Sequence, residues 1–261
     1  MTDIAPSRLS IGLRGLGWIA LVGHLGLTGA AALAQTAGTG PQPSQATKST
    51  GLSTLVYVPH DFDAPEVTQS GGVRAASQGG LPGLMVLAPP KLARTFSTQP
   101  TLYWYLSGPT EAPVRLTVLD LDATTGEPLL EIGLGPVATG GVQATSLAEH
   151  GVNLEEGRLY EWSVALEVDP QAYSEEPVAK TILSAEEADP GLLARLEREP
   201  ALARAEELAK AGYWYDLIDL LSREIEAGRD PGAWRALRAA LLDQVGLGVV
   251  AAHDRAAAGA Q

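Results

Sequence analysis

The sequence predicts an α+β protein that is mainly β: an antiparallel, immunoglobulin- or fibronectin-like β-sandwich followed by a small helical module. Three observations predict it. Seven or eight short apolar runs at close spacing fill residues 83–187, with no helical period between them. From residue 188 the apolar positions recur at three and four, punctuated by Asp189-Pro190, Gly212, Gly228 and Asp230-Pro231. Within the first regime lies Leu154–Asp169, whose alternation is strict. There Tyr160, Trp162, Val164, Leu166 and Val168 fall on one side, and Glu161, Ser163, Ala165, Glu167 and Asp169 on the other, the pattern of a half-buried strand. Leu154 and Gly157 stand six and three residues ahead of Tyr160. That layout matches the tyrosine corner of Greek-key sandwiches, in which the phenol turns back to upstream backbone.

The chain opens on residues 1–34, which read as a secretory signal. Arg8 and Arg14 supply a positive start, Leu16–Leu33 an apolar run, and Ala32-Leu33-Ala34 a small-x-small cleavage pattern ahead of Gln35. A retained membrane anchor is the rival reading, because the run approaches the length of a span. The Gly and Ala content and the Ala-x-Ala pattern favour cleavage. Loss of Asp3, Arg8 and Arg14 would take the formal charge from −13 to −14. Residues 35–82 are Gly-, Ser-, Pro- and Gln-rich and read as a flexible tether carrying one short strand candidate, Leu55–Val58.

Strand candidates then follow in order. Leu84–Ala88 is an apolar run stopped by Pro89-Pro90. Thr101–Ser107 sets Leu102, Trp104 and Leu106 against Tyr103 and Tyr105. Val114–Leu121 and Leu129–Leu134 flank the polar turn Asp122–Glu127 and predict a hairpin. Val142–Leu147, the tyrosine-corner strand and Val178–Ser184 complete the set. In the helical module over 188–248, Asp189-Pro190 and Asp230-Pro231 pair an N-cap with proline at the first helical position. Pro200 opens a second helix closed by Gly212, and Tyr213-Trp214-Tyr215 leads a third. The helix–Gly–helix rhythm resembles one tetratricopeptide-type hairpin with a capping helix. One such unit cannot bury its own apolar face, so it must lean on the sandwich or on a partner. Residues 249–261 read as a disordered tail.

Composition narrows the function classes. Apolar residues at 45% support a packed core, and a net charge of −13 disfavours nucleic acid and anionic lipid, which both require clustered Lys and Arg. Without cysteine there is no disulfide, thiolate nucleophile, Cys-ligated metal or lipid-modified cysteine. Of four histidines, only His60 and His150 lie outside the signal and the tail, and no Gly-x-Ser-x-Gly accompanies them, so nucleophilic catalysis has no support. His60-Asp61-Phe62-Asp63-Ala64-Pro65-Glu66 offers oxygens to a hard cation but lacks the glycine of a calcium loop, and Asp120, Asp122 and Glu127 fit a hairpin turn better than a metal loop. Acidic residues are dense from Glu149 to Asp189, so a pair at glycosidase spacing carries little weight.

Several short segments resemble a bacterial family designated domain of unknown function 928. They are Leu87-Ala88-Pro89, Gln99-Pro100-Thr101-Leu102-Tyr103-Trp104-Tyr105-Leu106-Ser107 and Gly157-Arg158-Leu159-Tyr160-Glu161-Trp162. Ala211-Gly212-Tyr213-Trp214-Tyr215-Asp216 and Leu242-Asp243-Gln244-Val245-Gly246-Leu247 extend the likeness, in the same order, over roughly residues 79–250. The resemblance implies an exported protein of Gram-negative bacteria or cyanobacteria and implies no activity.

The expected role is therefore a non-enzymatic periplasmic interaction or accessory module with a cell-envelope protein partner. No nucleic acid, cofactor or metal is expected, and no transmembrane segment in the mature chain. Trp104, Gly157, Tyr160 and Trp162 are read as structural. Tyr103, Tyr105, Tyr213 and Trp214 are the candidate binding residues: an interdomain seam if the helices cover them, an exposed patch for a partner or sugar ring if they do not. The alternatives are a carboxylate-dependent hydrolase or carbohydrate-binding protein, which needs a concave site, and a calcium-stabilised structural domain.

Overall fold

The structure is a computed structural model that describes residues 55–59, 80–90, 92–169, 171 and 176–259. Residues 1–34, read above as a signal, most of the expected tether and the His60–Glu66 cluster lie outside the described residues.

Among the described residues, eight strands form two sheets. The smaller has the order β1-β3-β6, from β1 (Leu84–Val86), β3 (Thr101–Leu106) and β6 (Gly141–Ser146), paired antiparallel. The larger has the order β2-β8-β7-β4-β5. Its strands are β2 (Ala93–Thr95), β8 (Val178–Ala185), β7 (Arg158–Leu166), β4 (Thr110–Asp120) and β5 (Pro128–Val137). β4 and β5 pair as the predicted hairpin, with register shifts at Val114 and Leu119. β2 has no counterpart among the expected strands and pairs parallel to β8, where the sequence predicts antiparallel pairing throughout. Three residues are too few to show a period, and β2 takes its register from β8.

The alternation of Leu154–Asp169 becomes β7, the middle strand of the larger sheet. Tyr160, Trp162, Val164 and Leu166 are buried, in one core cluster with Trp104 and Leu106 of the smaller sheet. At the entry to β7 the backbone N–H of Glu155 donates to the Tyr160 hydroxyl (2.8 Å), so the phenol turns back over the chain that precedes it. Gly157 has φ +80°, a conformation that non-glycine residues adopt at a cost, and its N–H reaches Ala185 O at 2.7 Å. Glycine three residues before the tyrosine is what lets the chain reverse into the strand.

Among the described residues five helices follow: α1 (Pro190–Leu196), α2 (Ala201–Ala211), α3 (Trp214–Glu226), α4 (Pro231–Gln244) and α5 (Gly248–Gly259). Asp189 caps α1 through Leu192 N (2.8 Å), and Asp230 caps α4 through Ala233 N (3.2 Å). Gly212 closes α2 in the left-handed region at φ +76°. α3 is amphipathic, burying Trp214, Leu217, Ile218, Leu221 and Ile225. Among the described residues, no helix is long and apolar enough to cross a membrane.

Two sequence expectations are corrected. Within the tail expected over 249–261, the described residues 249–259 are not frayed, because Gly248–Gly259 form α5, with Val250, Ala251 and Asp254 buried. An alanine-rich helix lacks the large apolar stripe that pattern reading seeks, and its place is set by α4. Leu55–Val58 is neither a strand nor part of a loose tether. It is an extended segment docked on the helices, with Leu55 and Tyr57 buried and Val56 and Val58 exposed.

Tyr160→Phe removes the hydroxyl that accepts from Glu155 N (2.8 Å) and makes a long contact to Glu155 O (3.5 Å), and is expected to cost about 1 kcal/mol. Urea denaturation checks this: the midpoint should fall with an unchanged slope.

Candidate functional site

The α2–α3 turn carries three aromatics that the positive φ of Gly212 aims into the β layers. Tyr213 lies edge-on to Phe96, with ring centroids 5.1 Å apart, beneath the Arg94 guanidinium at 4.7 Å. Trp214 is fully buried and donates its indole N–H to Leu87 O at 2.8 Å. Tyr215 turns the other way and accepts the indole N–H of Trp162 at 2.9 Å, which ties α3 to the middle strand of the larger sheet. Arg94 adds an ion pair to Glu186 (2.8 Å) and a hydrogen bond to Ala211 O.

Tyr103 and Tyr105, on the face of β3 opposite Trp104, lie under α3 and α5. The Tyr103 hydroxyl donates to Asp219 of α3 (3.1 Å), and the Tyr105 ring meets His253 of α5 edge-on at 5.4 Å. Tyr103, Tyr105, Tyr213 and Trp214 are at most 6% exposed. The expectation of an exposed aromatic binding patch is thereby corrected: the helices cover that face, and all four residues are packing. Alternation in β3 implies two faces but cannot say that both are covered.

Sequence reading missed the polar groups of this seam. Arg238 of α4 grips Asp254 of α5 with two hydrogen bonds of 2.7 Å and donates to the Ser222 hydroxyl of α3 at 2.8 Å, all three residues being buried. Such a pair is stable only when its remaining donors are satisfied, as Ser222 does here. The one sequence signal is an arginine set beside Leu237 and Leu241 in the apolar run of α4. Asp216, in the first turn of α3, accepts from Phe96 N (3.2 Å) and the Thr95 hydroxyl (3.3 Å), joining α3 to β2. Burial pushes its carboxyl up to about 7, against the opposing pull of those two donors.

Gln244, at the end of α4, is the other unforeseen residue. Its side-chain amide donates to Leu55 O (2.6 Å) and accepts from Tyr57 N (3.0 Å), while Val58 N donates to Ala209 O of α2 (3.0 Å). The Tyr57 ring meets Trp214 edge-on at 4.9 Å, and burial pushes its phenol up to about 12. Nearer the starts of α2 and α4, Leu202, Ala233, Trp234 and Leu237 line an open apolar cleft of about 150 Å³, with Asp230 at its edge.

The carboxylates of the turn after β4 are used internally. Asp120 pairs with Arg158, and Asp122 accepts from Leu159 N at 3.2 Å. Among the described residues no group of three His, Asp or Glu side chains is placed to hold a metal.

Two measurements follow. Tyr215→Phe leaves the Trp162 indole N–H buried without its partner and should cost about 1–3 kcal/mol by chemical denaturation. The Asp216 carboxyl binds its proton more tightly in the folded chain than in the unfolded one. Its stabilising contribution is therefore complete below the ordinary carboxylate range and is lost as pH rises through about 7. The wild type should lose up to about 1.4 kcal/mol per pH unit through this group between pH 5 and 7. Asp216→Asn should show a flatter stability curve over that interval.

No curated protein matches the chain. The family described as Domain of Unknown Function (DUF928) matches residues 69–254, a span from the segment before β1 to the buried Asp254 of α5. The aromatics of the α2–α3 turn and β3, the tyrosine corner and Gln244 of α4 all fall inside that span, and the chain belongs to this family.

Proposed function

We propose that the chain is an exported, non-enzymatic interaction or accessory module of the cell envelope, freed from the signal over 1–34 and acting in the periplasm. On this reading the two sheets are the layers of an immunoglobulin- or fibronectin-like sandwich, and α2–α3 is a tetratricopeptide-like hairpin laid against it. The observation that carries the proposal is the division of labour between buried and exposed groups. The aromatics hold helices to sheets and the Arg238–Asp254 pair holds α5 to α4, while the surface offers the apolar cleft around Trp234 between α2 and α4. A partner helix or loop with an apolar side chain would fill that cleft, and the negative net charge favours a partner carrying Lys or Arg around it.

A hydrolase would need two carboxylates about 5–10 Å apart over a concave site. The cleft has one carboxylate, Asp230, and it caps α4, so the cleft lends that alternative no support.

The test is photocrosslinking in living cells from position 234, with position 121 on an exposed strand end as the control. A discrete adduct from 234 and none from 121, in a periplasmic fraction whose mature chain starts at Gln35, is the expected result. Adducts equally distributed between the two positions, or a chain retained in the cytoplasm, would overturn the proposal.

A further inference from the structure

The docking of Leu55–Val58 has the form of a bound peptide. Among the described residues no strand pairs with it: its backbone is read by the side chain of Gln244 and by the last turn of α2. The Gln244 amide presents one donor and one acceptor to the C=O of residue 55 and the N–H of residue 57, as a neighbouring strand would. Only an extended backbone offers those two groups together, and the reading is blind to side-chain identity. Selectivity comes from alternate side chains. Leu55 and Tyr57 are 1% and 6% exposed, whereas Val56 and Val58 are 61% and 49% exposed. Tyr57 also has a specific ring partner, edge-on at 4.9 Å to Trp214. The site sits at the surface, since Gln244 is itself exposed. In sequence, Pro59 joins the rest of the domain at Gly80 through residues 60–79.

We propose that the ends of α2 and α4 form a receptor for extended aliphatic-x-tyrosine peptide segments. Leu55–Val58 fills it in cis, and a segment of the same chemistry replaces it in trans. The proposal rests on the reading of the chain as an interaction module and names the class of ligand. The cis segment acts as a competitor. Because the cis segment belongs to the same chain, its binding is intramolecular and has the advantage of an effective concentration, so a free peptide gains access chiefly when the cis segment is weakened. An incoming ligand must therefore match the Leu-x-Tyr pattern closely, and the ligand that meets this requirement is the Leu55–Val58 segment of a second copy of this chain, which carries the same pattern.

The test uses the full chain and a fluorescent peptide with the sequence of residues 54–59, followed by anisotropy. Leu55→Ser combined with Tyr57→Ser empties both side-chain pockets while leaving α2, α3 and α4 intact. This variant is expected to bind the peptide saturably and at least ten-fold more tightly than the wild type, and its melting temperature should rise as peptide is added. Adding Gln244→Ala should weaken that binding at least ten-fold, as should a peptide carrying alanine in place of its tyrosine. A variant with native circular dichroism that neither binds the peptide nor gains stability from it would overturn the proposal, as would binding indifferent to Gln244→Ala.

If the double variant does not fold, a specific protease site placed between residues 65 and 75 of the otherwise wild-type chain decides instead. After cleavage the N-terminal piece should exchange for labelled peptide while the body keeps its fold. Failure to exchange under excess peptide, or loss of the body's fold on release, would show the segment to be an ordinary part of the core. Crosslinking from position 234 does not depend on this exchange, so the two readings fail separately.

Discussion

The contact on which the rest of this domain depends is the hydrogen bond from the Trp162 indole to the Tyr215 hydroxyl, 2.9 Å long and fully enclosed. Trp162 belongs to the middle strand of the larger sheet, and Tyr215 to the first turn of α3. A buried indole N–H demands a partner, and in this core a helix supplies it. Position along α3 is thereby fixed to within the length of a hydrogen bond. That places Trp214 on Leu87 O and Tyr213 under Arg94, and brings Asp216 to the backbone of Phe96. A module of short helices that could not bury its own apolar face is held because the sheets satisfy its polar atoms as well as its apolar ones.

A second constraint works between the helices. Arg238, Asp254 and Ser222 join α4, α5 and α3 through three hydrogen bonds of 2.7–2.8 Å in a dry setting. An isolated charge there would be costly, so each group holds the others in one geometry. The last helix is thereby kept on the fold despite a composition rich in alanine. In turn α5 brings His253 over Tyr105 and completes the cover on the outer face of β3. Burial of Tyr103 and Tyr105 follows from helix placement and has no basis in β3 itself.

What remains outside these two anchors is the surface. The docked segment Leu55–Val58 and the Trp234 cleft both engage α2 and α4, the first near their C-terminal ends and the second near their N-terminal ends. Both are apolar with polar margins, the usual anatomy of a protein contact.

Much of this architecture is legible from local pattern. A period of two in 158–168, a period of three to four after 190, Asp-Pro caps, and the glycines at 157 and 212 are consequences of backbone geometry within a few residues. The periodicity and the spacing of Gly157 and Tyr160 therefore locate β7, its corner and the starts of α1 and α4 from sequence alone. Other features were decided only in three dimensions: the parallel pairing of the three-residue β2, the covering of Tyr103 and Tyr105, the ordering of residues 248–259, and the capture of Leu55–Val58 by Gln244. Each depends on groups distant in the chain, 187 to 189 residues apart in the case of Gln244 and the segment it holds. Periodicity records which side of an element is apolar. Which element comes to lie against that side, and which polar atoms it must satisfy, depends on packing that no local pattern encodes.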